Sequence, residues 1–413
     1  MVRVRPHIVI VGGGFAGLSC LHALANCQAD VTLIDQNDHH LFQPLLYLAG
    51  TGGLDPEIVS TPLHRMVTRP RKTRLVQDRL AGVDRKARHV VLDGGETIPF
   101  DFLVLATGAH TNWFGHSEWA DHAFDLKSKW DAERLSARLD HLPRDPRIAI
   151  VGAGPTGVEL AGALADRQAD RGDPAISANA EIMLVEAGRE ILPNYRRASR
   201  RAAAKALSKR GVRLCLRAGV EDIGPGGLQL AGERMGADLV IWAAGVAPVP
   251  LADMLGVEGA GPHGVPVTRQ LTLADRGPAA DRIFVVGDGA DYGRFGEALP
   301  KLAPAAKDMG AFAGRVIAQQ VRGLQPPRRF KFSSPGQMAV IAQGDAVAEL
   351  GPLSVSGEAA WALWLTVHIA FLPGNDKRLK AFGRFARLPD TAQTIVAPHV
   401  PRLASPRLLL GAG

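Results

Sequence analysis

Cysteine is scarce in this sequence. Only Cys20, Cys27 and Cys215 occur in 413 residues, and none belongs to a CxxC pair. Cys20 and Cys27 are seven residues apart in a predicted helix, which sets their Cα atoms about 10 Å apart, beyond disulfide reach. Cys215, in GVRLCL, reads as a buried strand residue. All three read as inert core thiols of a chain in a reducing cytoplasm. Without a CxxC or a Cys/His array, an iron–sulfur relay is excluded. No metal is expected either, since the adjacent His39 and His40 lack a neighbouring Cys or acid cluster.

Long apolar runs are also missing. The longest, AAWALWLTVHIAFL (359–372), has fourteen residues and ends at Pro373-Gly374; a spanning helix needs roughly 20. The start, MVRVR followed by HIVIV, carries no cleavable signal pattern. At 46% apolar and 22% charged, the composition is that of a soluble globular protein, and the length suggests two or three domains. The net charge of +7 is concentrated in residues 376–413, which hold seven Lys or Arg against two Asp. Such a tail attracts nucleic acid or an anionic membrane face. RPRKTR (69–74) reads as a solvated basic loop, and no nucleic-acid-binding motif accompanies it. Trp113, Trp119 and Trp130 read as packing groups.

What is present is one pattern used twice. HIVIVGGGFAGLSCLHALA sets Gly12, Gly14 and Gly17 between a run of β-formers and a helix-like stretch, and ADVTLID follows as a strand ending in Asp35. The glycines permit a tight turn, close approach of backbone N–H groups to a pyrophosphate, and tight helix–strand packing. The terminal acid can accept both hydroxyls of an adenosine ribose. RIAIVGAGPTGVELAGALA repeats the set at Gly152, Gly154 and Gly157, and AEIMLVE supplies a second strand ending in Glu186. A polar loop, DRQADRGDPAISANA, fills the longer gap between them. DFLVLATGAH (101–110) and ADLVIWAAGVAP (237–248) are apolar strands running into small-residue turns at matched places. RIFVVGDGA (282–290) ends a further strand at Gly287-Asp288, where an acid suits a ribityl chain or caps a turn.

These segments resemble the two-dinucleotide-binding-domain flavoproteins over residues 5–325. The resemblance implies an α/β fold of two Rossmann-like domains, a C-terminal β-rich segment and an amphipathic helical tail. It implies a discontinuous FAD domain (1–115 and 263–325), a NAD domain (116–262) and an interface and membrane-surface segment (326–413). FAD is expected at Gly12, Gly13, Gly14, Phe15, Ala16, Gly17, Asp35, Gln36, Gln43, Leu80, Ala106, Thr107, Gly108, Asp288, Ala303 and Pro304. The nicotinamide dinucleotide is expected at Gly152, Gly154, Pro155, Thr156, Gly157, Glu186, Ala244 and Gly245. Glu186 favours NADH by repelling a 2′-phosphate, with Arg189 close by.

Hydride transfer from nicotinamide to flavin needs stacking and exclusion of water rather than a protein acid. The second half-reaction divides the family. LFQPLLYLAGTGG (41–53) lacks the cysteine pair of the disulfide reductases, leaving oxygen, a carrier protein or a quinone as acceptor. HHLFQPLLYLAGTGGLDPEIVSTPLHRMV, FGHSEWADHAFDLKS, GPTGVELAGALAD, IWAAGV and SGEAAWALWLTVHIAFL resemble the type II NADH:quinone oxidoreductases. That resemblance implies a catalytic acid at Glu159, whose plain alternative is a first-turn helix acid. It also makes residues 41–53 a flavin-side wall, with Gln43 and apolar groups meeting an acceptor from lipid. Two departures stand against it. The family's Ala-Gln-x-x-x-Gln quinone motif is here LAPAAKD, placing Ala303, Lys307 and Asp308 at the quinone site, and an ionised Asp cannot donate to a carbonyl. The aromatic pattern of the family's tail is missing after 388.

DKRLKAFGRFARL (376–388) nevertheless sets Leu379, Phe382, Phe385 and Ala386 on one helical face with the cations elsewhere. This pattern fits an anionic membrane surface, or a helix packed on the protein or on a second copy in a homodimer. The expectation is a peripheral enzyme on the inner face of the cell membrane that pumps no protons. The rivals are a soluble NAD(P)H reductase serving a carrier protein and a non-catalytic flavin or NADH sensor.

Overall fold

The computed structural model describes residues 5–67, 72–169, 179–258, 261–293 and 299–386. Most of the polar loop after the second fingerprint (170–178), the first part of the basic loop (69–71) with the residue before it, and the tail from 387 lie outside the described residues.

The apolar runs form two parallel sheets. In the first, Ile283–Val285, Phe102–Leu105, His7–Val11, Asp30–Asp35 and Thr73–Gln77 lie side by side in that order. In the second the order is Arg213–Leu216, Glu181–Glu186, Arg147–Val151 and Leu239–Trp242. HIVIV and RIAIV lack polar alternation because both faces of a parallel sheet are covered; Ile8, Ile10, Ile148 and Ile150 are fully buried. In each sheet the strand before a glycine fingerprint has the acid-ending strand on one side and the strand with the small-residue turn on the other. Each sheet also carries an antiparallel three-stranded excursion, over 80–99 in the first and 220–236 in the second. The doubling read from the sequence is therefore a doubling of two Rossmann-like folds.

A short ribbon joins them. Ala109–Thr111 pairs antiparallel with Val246–Pro248, so one end of the ribbon touches each small-residue turn. Val249 donates to the Gly108 carbonyl at 3.3 Å, and Asn112 to that of Gly245 at 3.1 Å.

The C-terminal part is a meander, Gln337–Ala342, Asp345–Leu350 and Leu353–Gly357, followed by helices Glu358–Phe371 and Asn375–Phe385. The meander sits on the second fingerprint helix, Pro155–Ala169, at Gly162. A Cβ at Gly162 would overlap the Ile341 carbonyl, so only glycine permits this approach. Trp364 is fully buried. No helix among the described residues is long and apolar enough to cross a membrane.

Several expectations need correction. The first fingerprint helix ends at Ala23, so Cys27 lies in the turn beyond it; both Cys20 and Cys27 are buried, and burial pushes the Cys20 thiol up to about 12. Cys215 is in a strand but only half-buried, its strand lying at the edge of the sheet. The basic loop ends early: Thr73 and Arg74 begin a strand, and Arg74 pairs with Glu96 at 2.7 Å. Trp119 is buried and Trp113 stacks on Trp242 at 5.5 Å, but Trp130 is 62% exposed, with the Arg134 guanidinium 4.8 Å over its ring. The tail helix does not offer one free apolar face. Ala381 is buried and Phe385 packs edge-on against Trp364 at 5.9 Å, leaving Phe382 exposed.

Candidate active site

Parallel strands direct their fingerprints to one edge of a sheet, where a ligand meets the C-terminal ends. Across the first sheet that edge presents, in spatial order, Asp288, the turn Ala106-Thr107-Gly108, the turn Gly12 to Gly17, and Asp35 with exposed Gln36. Leu80 opens the excursion strand that follows the last parallel strand. Strands spaced about 4.8 Å apart make a linear cradle on the scale of an extended dinucleotide. Gly12 has φ +108°, and a Cβ there would overlap the Ala106 carbonyl, so the two turns close on each other only through glycine. Asp35 accepts the N–H of Gly13 at 2.6 Å and that of Asn37 at 2.8 Å. Each carboxylate oxygen keeps a lone pair for a hydroxyl. Burial raises the Asp35 carboxyl above its ordinary range, and the amides of Asn37 and Gly13 oppose the rise.

The cradle fits FAD on its own terms. Thr107 Oγ1 is buried without a hydrogen-bond partner. The space beside Gly14 is open, and helix Phe15–Ala23 begins with no capping side chain and no acid in its first turn. Its N–H groups suit a pyrophosphate. Asp288 lies in the turn Gly287–Gly289, beside a cavity of about 440 Å³ lined by Lys301, Tyr292 and Met309. Burial raises the Asp288 carboxyl, opposed by the ammonium groups of Lys127 and Lys301.

The second sheet repeats this edge with Glu186, the turn Gly152 to Gly157, and Ala244-Gly245. Gly152 has φ +99°, and its missing Cβ makes room for the Ala244 backbone. Glu186 accepts the N–H of Ala153 at 2.8 Å and that of Gly188 at 2.7 Å. Pro155 and Thr156 are exposed at the start of the helix, and no acid stands in its first turn. Arg189 is exposed and directly follows Gly188.

The two halves meet at residues 41–53. Gln43–Leu45 is a 3₁₀ turn and Leu46–Gly50 a helical turn. Phe42, Leu45, Leu46, Tyr47 and Ala49 are buried in the core that holds the second fingerprint helix. This corrects the expected wall: most of its apolar groups face protein, whereas Gln43 is exposed and Pro44 and Leu48 are half-buried. Half-buried Glu159 stands one turn into that helix. Burial raises its carboxyl to about 8, while a backbone hydrogen bond at Val340 opposes the rise. Burial, and then the charge of Glu159, raise the hydroxyls of Tyr47 and Tyr195.

Ala303, Pro304, Lys307 and Asp308 occupy the first turns of helix Ala303–Val321, which packs on the first fingerprint helix. Ala303 is half-buried and Pro304 exposed. Lys307 Nζ lies 4.3 Å over the ring of Phe371, joining this helix to the C-terminal part. Burial lowers the Lys307 ammonium, with Asp308 opposing. Partial burial raises the carboxyl of Asp308, with Arg315 and then Lys307 opposing.

Residues 6–310 match the pyridine nucleotide-disulphide oxidoreductase family. The chain is 32% identical over 410 residues to the type II NADH:quinone oxidoreductase NdhA of Mycobacterium tuberculosis, covering 91% of this chain and 86% of that one. The chain belongs to the type II NADH:quinone oxidoreductases. A second such protein of the same organism, Ndh, is 31% identical over 90% of this chain and 85% of its own. The fold matches that of NDH2 from Plasmodium falciparum in complex with NADH, with TM-score 0.82 at 18% identity over 93% of this chain and 98% of that one. All three cysteines of this type II chain are free thiols.

Two residues near the first cradle were not among the expected site residues. His40 is 3% exposed, its Nδ1 lies 3.0 Å from the Gly13 carbonyl, and its ring meets Phe15 edge-on at 5.0 Å. Burial lowers its pKa, and the hydrogen bond to the Gly13 carbonyl opposes the fall. Lys127 is half-buried, and burial lowers its ammonium against the pull first of Asp288 and then of Asp125. Neither has a motif; only their place after a strand or within a family segment marks them.

Proposed function

We propose that this protein oxidises NADH and reduces a membrane quinone, with FAD along the first sheet edge and NADH along the second. The observation that carries this reading is the repeated edge, an acid tied to its own glycine turn in each sheet, with one ribbon joining the two small-residue turns. FAD, when bound, supplies two-electron acceptance from a nicotinamide and delivery to a quinone. The protein's part is to bind, orient and exclude water. Gly12 to Gly17, Asp35, Thr107 and Asp288 hold the flavin cofactor. Gly152 to Gly157, Glu186 and Ala244-Gly245 hold NADH, and the fixed charge of Glu186 disfavours a 2′-phosphate. Glu159 carries a proton at neutral pH and can give or take it at the meeting of the two halves. Gln43, Lys307 and Asp308 face the acceptor; Lys307 replaces with an ammonium the donor that the missing amide would supply.

In this reading, residues 1–115 and 263–325 form the FAD domain, 116–262 the NAD domain and 326–413 the membrane-facing part. Exposed Phe371 and Phe382, with Lys380 and Arg384 on the same helix pair, suit an anionic surface on the inner face of the cell membrane. The purified protein should be yellow, be bleached by NADH and be recoloured by a short-chain quinone. Bleaching without recovery on quinone defeats the acceptor assignment. Sedimentation with anionic liposomes, lost on removing residues 376–413, tests the membrane assignment.

A further inference from the structure

Phe114 follows the linking ribbon, and much of its surface is left uncovered. It is 59% exposed and has φ +53°, a conformation that crowds Cβ against the backbone. Among the described residues it is the one exposed large hydrophobic that takes a left-handed conformation. A bulky residue held there against local preference marks a place where the surroundings impose the geometry. They do so here: Asn112 Oδ1 accepts the N–H of Phe114 at 2.9 Å, and Trp242 Nε1 donates to the Asn112 carbonyl at 2.8 Å. The ring meets Trp242 edge-on at 6.3 Å.

The constraint aims the ring at the second cradle. A Cβ built on Gly245 would lie 3.7 Å from Phe114 Cζ, with no other atom within 4 Å apart from Gly245 and its chain neighbours. The neighbouring Ala244 backbone is the group that abuts Gly152 of the fingerprint. The ring therefore stands over the turn that closes on the phosphate-binding glycines. We infer that Phe114 forms a wall of the nicotinamide dinucleotide site, packing on the ligand where it crosses the Ala244-Gly245 turn. This rests on the NADH reading above. A flat apolar ring with two rotatable bonds offers contact area at small entropic cost, and its strained backbone keeps it from folding away.

The test is NAD+ binding to the FAD-loaded protein by titration calorimetry, together with KM for NADH and KM for a short-chain quinone. Phe114→Ala should weaken NAD+ binding and raise KM for NADH about tenfold, the scale of one lost aromatic stacking contact. Quinone KM and FAD content should stay unchanged. Phe114→Gly removes the ring while suiting the left-handed backbone, so it should fold at least as well as the parent and bind NAD+ as poorly as Phe114→Ala. Phe114→Tyr should keep parental affinity. Parental NAD+ affinity in Phe114→Gly overturns the inference while leaving the NADH reading intact. Failure of the unmutated protein to bind NAD+ or to be bleached by NADH overturns both.

Discussion

Glu186 accepts the backbone N–H of Ala153 at 2.8 Å, tying the acid at the end of one strand to the second residue of the glycine turn beside it. Asp35 does the same to Gly13 at 2.6 Å in the other sheet. Each acid thus shapes the glycine turn beside it, and in the proposed reading it also offers oxygens to a ribose.

Glu186→Ala should therefore lose on both counts. Loss of one charge-assisted contact of about 1.5 kcal/mol or more raises KM for NADH at least about tenfold and shrinks the preference for NADH over NADPH. FAD content should be unaffected. The ratio of kcat/KM for the two nucleotides is the measurement, and a ratio equal to the parent's would count against the role.

Glu159 gives a pH signature. Its carboxyl is raised from 4.5 to about 8, so between those values the folded state holds a proton that the unfolded chain releases. Its contribution to stability is full below 4.5 and is lost as pH rises towards 8. Glu159→Gln, which cannot titrate, should lack this decline. The difference in Tm between parent and variant should fall between about pH 5 and 8 and level off above. A difference that stays flat with pH would refute the raised value.

Lys307→Ala should raise KM for a short-chain quinone without slowing bleaching by NADH. It removes the cation that spans from helix Ala303–Val321 to Phe371. Asp308→Gln, which restores an amide able to donate, should lower that KM. Stopped-flow traces separate the two halves, and an equal effect on both would place these residues elsewhere.

The tail helix is fastened by Lys377, whose Nζ donates to the carbonyl of Glu57 at 2.7 Å, to that of Ser60, and to Thr61 Oγ1 at 3.1 Å. Lys377→Met should destabilise the protein by about 1–3 kcal/mol, the scale of charged hydrogen bonds whose buried acceptors, here on Ser60 and Thr61, are left unmet. Urea denaturation followed by tryptophan fluorescence reads this out, and an unchanged midpoint would show that the clamp carries no stability.

Gly162→Ala tests the docking of the meander. The added methyl meets the Ile341 carbonyl, and helix and strand must part, at about 1–3 kcal/mol for an overpacked contact. The same denaturation assay should show a lower midpoint.

The sequence by itself determined the repeated parts. Strand, glycine turn, helix and acid-ending strand are set by neighbours within about thirty residues, so Gly12 to Gly17, Asp35, Gly152 to Gly157 and Glu186 were legible. The absence of a cysteine pair in 41–53 was legible for the same reason. Only the tertiary structure decided how distant segments meet. The burial of Tyr47 and its neighbours against the second fingerprint helix depends on packing between residues far apart in the chain. The same holds for the electrostatic pull between Lys127 and Asp288, for Lys307 over Phe371 and for Phe114 at Gly245. None of these has a local period or spacing to betray it. The tail shows the limit most clearly: its amphipathic pattern was readable, but which apolar residues stay exposed was settled by the space beside Trp364.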